Sequence, residues 1–172
     1  MPEMCTDGWQ GRALVVGGGG IGRALQAELS QRHPTLLVTL ATRQPLSAEE
    51  WNLDLESSSS LAELTARLSA DDHPLRIVIN ATGRLHSPLY QPEKRLQHVE
   101  QSALIDSFAI NAAGPLLLAK SVEPVLTRDR PFHFASLSAR VGSIGDNRSG
   151  GWYAYRAAKA AQNMMLRCLS LE

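Results

Sequence analysis

The sequence predicts an α/β domain with a doubly wound parallel sheet. Short apolar segments alternate with helical patterns along the chain, and these segments are nearly continuous, as is typical of parallel strands that helices cover on both faces. The length of 172 residues suits one domain, and neither a repeat nor a domain boundary is visible, so we expect one domain over residues 1–172. The predicted strands cover residues 12–16, 36–40, 51–55, 76–80 and 132–136.

Four further segments are predicted as helices. The first follows four consecutive glycines and ends before Pro34. The second begins at Ser60, because Ser60 and Glu63 have the spacing of a capping box. The other two cover residues 104–110 and 155–171. The apolar residues of the first two helices are Ile21, Leu25 and Leu29, and Leu61, Leu64 and Leu68.

Composition and charge exclude several classes of function. Basic and acidic side chains number 17 each, so there is no excess of positive charge with which to bind nucleic acid. The longest uninterrupted apolar runs fall far short of the roughly 18 residues that a membrane span needs, and residues 1–10 lack the apolar core of a secretory signal. Only Cys5 and Cys168 are present and the five histidines are scattered, so we expect neither a disulfide framework nor a metal site. A reducing cytoplasm is therefore the expected location.

A glycine-rich loop separates the first predicted strand from the first predicted helix. Gly17, Gly19 and Gly22 match the pattern GxGxxG, whose glycines allow a tight turn, a close approach of the backbone to a pyrophosphate, and close packing of helix on strand. The helix N-terminus, with Gly20 and Ile21, would then face the anion. The loop predicts a Rossmann-type dinucleotide site, and the alternative is a flexible glycine turn.

The end of the second strand indicates which dinucleotide binds. An Asp or Glu at this place would accept hydrogen bonds from the adenine ribose of NAD. Here the strand is followed by Thr42 and Arg43 without a carboxylate, and Arg43 lies 21 residues after Gly22. A guanidinium can bind the 2′-phosphate of NADP through two hydrogen bonds. We therefore expect NADP(H), and NAD(H) is the alternative if Arg43 is only a surface residue.

Tyr155 and Lys159 are four residues apart on the last predicted helix, so both project from one helix face. A phenol with a pKa near 10 exchanges protons poorly at neutral pH, and a nearby ammonium lowers that pKa by favouring the phenolate. The pair therefore indicates acid–base chemistry, although most YxxxK pairs are surface residues.

Taken in order, these motifs resemble those of the short-chain dehydrogenase/reductase superfamily. Within it, the segments PEKRL and ARVGSIGDNRSGGWYAYRAAKAAQN are most similar to the branch of C-factor (C-signal) and sniffer-like carbonyl reductases. The resemblance implies that Asp54 contacts the adenine through its side chain and Leu55 through its backbone. It also implies that the NATG segment supports the sheet and lines the cofactor site. The matching features along the chain are the glycine loop at residues 17–22, Asp54, the segment Asn80, Ala81, Thr82 and Gly83, and then Asn111, Ser138, Tyr155 and Lys159.

The resemblance implies a mechanism as well. NADPH would deliver a hydride to a carbonyl carbon while Tyr155 donates a proton to the carbonyl oxygen. Lys159 would hold the nicotinamide ribose and lower the pKa of Tyr155. Ser138 would orient the substrate carbonyl, and Asn111 would hold a water that relays protons to Lys159. The expected substrate is a small carbonyl compound or alcohol, and a homodimer or homotetramer is a family expectation.

Three departures from the family pattern leave alternatives open. Ser138 lies 17 residues before Tyr155, and an alignment on Gly142 would place Ala139 in its position, so Ser136 and Ser143 are its substitutes. The glycine loop is one residue tighter than the usual TGxxxGxG loop. The chain ends with the Tyr–Lys helix, where family members continue, so we expect a sheet without its C-terminal strands and an exposed edge. The chain would then be a fragment, pair with another molecule, or be a degenerate homologue.

Three functional interpretations follow. The first is an NADP-dependent carbonyl reductase or alcohol dehydrogenase, because a pure sensor would have no chemical need for the Tyr155, Lys159 and Asn111 set. The second is a dinucleotide-binding signalling or regulatory protein with weak or no catalysis. The third is a non-functional truncated product.

Overall fold

A computed structural model describes residues 9–127 and 130–172, which form two compact units. The first unit consists of the chain up to Ala81 together with Ser121–Ser136, and the second consists of Thr82–Lys120 and Leu137–Glu172. Residues 1–10 were predicted not to form a secretory signal. Most of them, including Cys5, lie outside the described residues. The predicted extent of the domain, residues 1–172, stays a prediction.

The first unit contains a five-stranded parallel sheet in the order β3-β2-β1-β4-β5. This is the strand order of a Rossmann-type sheet, and the predicted fold class is thereby confirmed. All six residues of β1 are buried at the centre of the sheet, whereas β5 pairs only with β4 in the part of the chain that the structure describes. The strands are β1 (Gly11–Val16), β2 (Leu36–Thr42), β3 (Trp51–Asn52), β4 (Leu75–Asn80) and β5 (His133–Ser136).

The third strand is shorter than the predicted residues 51–55. The Leu53 N–H still donates to the Thr42 carbonyl, but the Asp54 N–H donates to the hydroxyl of Ser60 at 2.9 Å. The Asp54 carbonyl in turn accepts from the Ser57 N–H, so the chain leaves the sheet in a turn before the next helix. The sequence pattern missed this turn because Leu53 and Leu55 are both buried, as they would be in a strand.

Two helices belong to the first unit, α1 (Gly20–Arg32) and α2 (Ser58–Ser69). The predicted capping box is wrong. The N-cap is Ser57, whose hydroxyl accepts from the Ser60 N–H at 3.3 Å, while the Ser60 hydroxyl is engaged with Asp54. The apolar face of α2 is confirmed, since its buried residues are Leu61, Leu64 and Leu68. In α1, Leu25 and Leu29 are half-buried, but Ile21 in the first turn is 63% exposed.

The second unit is built on α3 (Gln101–Phe108), α4 (Gly114–Val122, whose last two residues belong to the first unit) and α5 (Tyr153–Leu169). A π-helical turn, Ala109–Ala113, joins α3 to α4 and carries the buried Asn111. The sequence predicted one helix here and gave no sign of the wider turn. Such turns often mark functional positions, because they reorient the side chains they carry.

The stretch Gln101–Val125 is continuous, and of the residues described it alone is long and apolar enough, by length and composition, to cross a membrane. Half of its most apolar window is buried within the protein. The stretch is not visible as one uninterrupted apolar run in the sequence, because polar residues such as Asp106, Asn111 and Lys120 interrupt it. Because core helices pass the same test, the expected absence of a membrane span stays a prediction.

Candidate functional site

The glycine loop of the first unit is shaped by contacts that a side chain would prevent. Gly17 has a φ of 122°, and its N–H donates to the Ala41 carbonyl at 2.8 Å, so the chain turns sharply after β1. A Cβ on Gly22 would lie 1.8 Å from the carbonyl oxygen of Gly17, and a Cβ on Gly18 would lie 2.5 Å from Oγ1 of Thr42. The inner side of the loop is therefore closed against the protein.

The outer side of the loop is open. A Cβ on Gly19 or Gly20 would find no atom within 4 Å among the residues that the structure describes. Gly19 is the N-cap of α1, no side chain caps this helix, and its first turn contains no acidic residue. The uncapped N–H groups and the helix dipole favour an anion at this point. The residues present therefore fit the pyrophosphate of a dinucleotide.

Arg23 fastens this loop to the segment that follows β2. Its Nε donates to the Gly18 carbonyl at 3.0 Å, and its two terminal nitrogens donate to the carboxylate oxygens of Glu50 at 2.7 and 3.3 Å. Glu50 also accepts from the Leu46 N–H at 2.9 Å. Hydrogen bonds from Arg23 and from the Leu46 backbone lower the pKa of Glu50. Glu50 was missed from the sequence because no motif surrounds it.

Arg43 lies at the end of β2 as predicted, with 55% of its side chain exposed. One terminal nitrogen is 3.8 Å from Oε2 of Glu56, a partner that the sequence did not suggest. Asp54 accepts from the Glu56 N–H at 3.0 Å, and Leu55 is buried. A carboxylate therefore stands beside the guanidinium predicted to bind the 2′-phosphate.

Asn80, the first residue of the NATG segment, links β4 to β5 through its side chain. Its side chain is fully buried, and its Nδ2 donates to the hydroxyl of Ser136 at 2.9 Å. The Ala81 N–H donates to the Val16 carbonyl at 2.8 Å and continues the pairing of β4 with β1. Ser136, a substitute for the catalytic serine, is thus part of the sheet.

Lys159 is buried in the second unit, with 2% of its surface exposed. Its Nζ donates to the Leu137 carbonyl at 3.0 Å and to Oε1 of Gln162 at 2.9 Å. Gln162 is fully buried and also donates from Nε2 to the Leu137 carbonyl at 3.3 Å. Burial lowers the pKa of Lys159, because it disfavours the charged form. The sequence did not single out Gln162, since a glutamine in a helix is usually exposed.

Gly83 brings two of the predicted residues together. A Cβ at this position would lie 3.4 Å from Oδ1 of Asn111 and 3.6 Å from Nζ of Lys159. Asn111 is fully buried, and its side chain forms two hydrogen bonds with the backbone of Arg84. Oδ1 accepts from the Arg84 N–H at 2.9 Å, and Nδ2 donates to the Arg84 carbonyl at 2.8 Å. Thr82, the other NATG residue in this unit, is half-buried.

Tyr155 is half-buried one turn before Lys159, and its ring centroid lies 5.8 Å from Nζ. Burial raises the pKa of Tyr155, whereas the predicted effect of Lys159 was to lower it. The physical reason is that the ammonium is directed at the oxygens of Leu137 and Gln162. In this structure, desolvation therefore has the larger effect on the phenol.

The hydroxyl of Ser138 donates to Oδ1 of Asn163 at 2.6 Å rather than to Tyr155 or Lys159. Ser138 is exposed, but its neighbour Leu137 supplies the carbonyl that binds Lys159. Ser143 is also exposed. The structure therefore places Ser138 next to Leu137, whose carbonyl binds Lys159, with the Ser138 hydroxyl bonded to Asn163.

Glu93 fixes the start of the helix that carries Tyr155, and sequence reasoning missed it. Its carboxylate is buried and accepts from the Ala154 N–H at 3.3 and 3.4 Å. Its carbonyl accepts from the N–H of Trp152, which has a left-handed φ of 52°. The PEKRL segment, noted only as a family resemblance, thus contains the acceptor that holds α5 at its N-terminus.

The comparisons with known proteins show the family to which the chain belongs. A family model described as short chain dehydrogenase matches residues 12–172. The chain is 31% identical over 158 residues to 1-hydroxy-2-glutathionyl-2-methyl-3-butene dehydrogenase of Rhodococcus sp. (strain AD45), covering 88% of this chain and 66% of that protein. It is 38% identical over 77 residues to C-signal of Myxococcus xanthus, covering 45% of this chain and 46% of that protein. The chain thus spans 66% or less of the length of these two relatives.

Solved structures share the fold. The NADPH-bound carbonyl reductase from chicken fatty liver superimposes with a TM-score of 0.76 at 22% identity, over 94% of this chain and 73% of that one. The carbonyl reductase sniffer of D. melanogaster superimposes with a TM-score of 0.64 at 21% identity, over 92% of this chain and 62% of that one. The predicted resemblance to the short-chain dehydrogenase/reductases and to C-signal is confirmed by the family model and the C-signal match, and the sniffer structure shares the fold.

Proposed function

We propose that this chain, which belongs to the short chain dehydrogenase family, is an oxidoreductase that uses NADP(H) to reduce a small carbonyl compound or to oxidise the corresponding alcohol. The observation that carries the proposal is the cluster of Tyr155, Lys159, Asn111 and Gly83 in the second unit. A buried ammonium within 5.8 Å of a phenol ring is costly to maintain, and acid–base chemistry gives a reason for it.

The residues of the first unit support a dinucleotide as the cofactor. The glycine loop would hold the pyrophosphate, Asp54 and Leu55 the adenine, and Arg43 the 2′-phosphate. Bound NADPH supplies the hydride in the reductive direction. The absence of a carboxylate at the end of β2 favours NADP(H) over NAD(H), and the NADPH bound to the chicken carbonyl reductase supports the same cofactor class.

Tyr155 would donate the proton. Burial raises its pKa, so the phenol is protonated at neutral pH and can donate to the carbonyl oxygen as negative charge develops there. Two of the three N–H donors of Lys159 bind Leu137 and Gln162, which leaves one for the nicotinamide ribose. Ser138 would orient the carbonyl, and Asn111 would hold the relay water.

Substitution of Tyr155 by phenylalanine tests this proposal. With a panel of small ketones and aldehydes, we expect Tyr155→Phe to oxidise NADPH at least about 100-fold more slowly, since it lacks the general acid. The Kd of NADPH, measured by fluorescence titration, should stay within about twofold. The matched control is Tyr153→Phe, on the same helix but 41% exposed, which should keep the wild-type turnover. Equal rates in wild type and Tyr155→Phe would contradict the proposal.

A second function is supported by the 38% identity to C-signal: a dinucleotide-binding regulatory protein with weak or no catalysis. In that case the chain would bind NADPH, yet turnover would not depend on Tyr155. The cytoplasmic location and the homodimeric or homotetrameric state stay predictions.

A further inference from the structure

We infer that Gln162 is a positioning residue for the Lys159 ammonium, which it fixes together with the carbonyl of Leu137. The catalytic meaning of this inference rests on the proposed function, because it assumes that Lys159 serves the reaction. The contact itself is a property of the fold and can be tested separately.

The oxygen and the nitrogen of the Gln162 side-chain amide both form hydrogen bonds beside the Lys159 ammonium. Oε1 accepts from Nζ of Lys159 at 2.9 Å, and Nε2 donates to the Leu137 carbonyl at 3.3 Å. That carbonyl also accepts from Nζ at 3.0 Å, so the three groups form a closed ring of hydrogen bonds. An ammonium only donates, so the amide oxygen must face it and the amide nitrogen must face the carbonyl. The ring therefore has one arrangement.

Among the residues that the structure describes, Nζ of Lys159 donates to two neutral oxygens, those of Leu137 and Gln162. Lys159 is 2% exposed, and a buried charge is costly without hydrogen-bond acceptors. In the described part of the second unit, Asp106 of α3 pairs with Arg84, Asp146 pairs with Arg140, and the buried Glu93 accepts from the Ala154 N–H.

Tyr155 and Arg156 are the titratable or charged side chains of α5 that lie one helical turn before Lys159. Tyr155 presents its ring to Nζ at 5.8 Å, and Arg156 donates to the Val141 carbonyl and to Ser149. No charged partner of Nζ therefore replaces Gln162 among the described residues.

A neutral acceptor has a specific consequence for the proposed reaction. A glutamate at position 162 would also accept from Nζ but would neutralise its charge. An apolar residue would remove one of the acceptors that stabilise the buried ammonium. Glutamine holds the ammonium in place and leaves its positive charge to act on Tyr155 and on a bound ribose.

The experiment measures the pKa of Lys159 by NMR. The chain contains only three lysines, Lys94, Lys120 and Lys159, so ¹³Cε-lysine labelling gives three NMR signals, and Lys159→Arg assigns the third. We expect the pKa of Lys159 to fall in Gln162→Met and to rise in Gln162→Glu. The control Gln101→Met, an exposed glutamine in the same unit, should leave it unchanged.

Kinetics adds a second readout. With the best carbonyl substrate of the panel, kcat should fall about tenfold in Gln162→Met while the KM for the carbonyl stays the same, since the lysine and not the substrate pocket is disturbed. A merely structural role would lower the melting temperature and leave the lysine titration unmoved.

The outcomes separate the two proposals. If the pKa of Lys159 is unchanged in both folded variants, or moves in the same direction in both, the inference is wrong. If the wild type reduces no carbonyl, the proposed function fails while the NMR titration still tests the contact. If Gln162→Met does not fold, the upward shift expected in Gln162→Glu decides the matter alone.

Discussion

The glycine loop and the lysine cluster hold their functional groups in different ways. The loop offers backbone groups to a ligand, and its shape requires glycine. A side chain on Gly22 would collide with Gly17, and one on Gly18 would collide with Thr42. In the cluster Lys159 is held by hydrogen bonds to Gln162 and Leu137, and Asn111 by hydrogen bonds to the backbone of Arg84. The first arrangement depends on space and the second on hydrogen-bond partners. Each therefore fails under a different kind of substitution.

The largest effect is expected where the loop has no space. Gly22→Ala would place a methyl group 1.8 Å from the Gly17 carbonyl, so the start of α1 must move away from β1. We expect a loss of about 3 kcal/mol in the free energy of unfolding, measured with urea, because such overpacking cannot relax without moving backbone. NADPH binding should be lost with it.

Gly20→Ala is the matched control for the open side of the loop. Its Cβ would lie in a helix with no described residue within 4 Å outside the helix backbone, so stability should be unchanged or rise by up to about 1 kcal/mol. The methyl group would nevertheless occupy the space proposed for the pyrophosphate, so the Kd of NADPH should rise about tenfold or more. If Gly22→Ala proves as stable as Gly20→Ala, the description of the loop is wrong.

In the lysine cluster the effect of a lost partner should be smaller. Asn111→Leu removes the groups that bind both the N–H and the carbonyl of Arg84. We expect the free energy of unfolding to fall by about 2 kcal/mol, because two partly buried backbone groups lose a hydrogen bond each. Asn163→Leu, at an exposed position on α5, should change the unfolding free energy by less than about 0.5 kcal/mol. Equal stability of the two variants would mean that Asn111 does not hold Arg84.

The same contrast explains what the sequence could predict. The glycine loop, the doubly wound parallel sheet and the buried face of Leu61, Leu64 and Leu68 follow from patterns of side-chain size and period. Lys159 and Tyr155 were also recognised, because their spacing is a motif. The partners that hold such residues were not, since Gln162 belongs to no motif and Glu93 was noted only within the PEKRL segment, without a role of its own.

The cap of α2 and the direction of the Tyr155 pKa shift were predicted wrongly from the sequence, each for a physical reason. The cap of α2 falls at Ser57 and not at Ser60, because a run of four serines offers several equivalent caps and the turn at Asp54 selects among them. The pKa of Tyr155 is raised and not lowered, because the orientation of Lys159 depends on acceptors that only the folded chain brings near.

The smallest expected effect concerns Arg43, where a side chain and not the backbone recognises the cofactor. Glu56 lies 3.8 Å from its guanidinium at an exposed position, so the ion pair itself contributes little to stability. Its charge would still oppose the approach of a 2′-phosphate. We therefore expect Glu56→Gln to lower the Kd of NADPH about two- to fivefold at low salt, with less change at high salt. The Kd of NADH, which lacks that phosphate, should not change.

A second acidic variant makes this result specific. Glu28→Gln removes an exposed carboxylate from the Arg32 pair on α1 in the same unit and should alter neither Kd. If Glu56→Gln strengthens NADH and NADPH binding equally, Glu56 acts on the whole dinucleotide and Arg43 is not the 2′-phosphate ligand. If only NADPH responds, cofactor choice depends on the balance between Arg43 and Glu56, while the glycine loop contributes to the binding of either dinucleotide through its backbone alone.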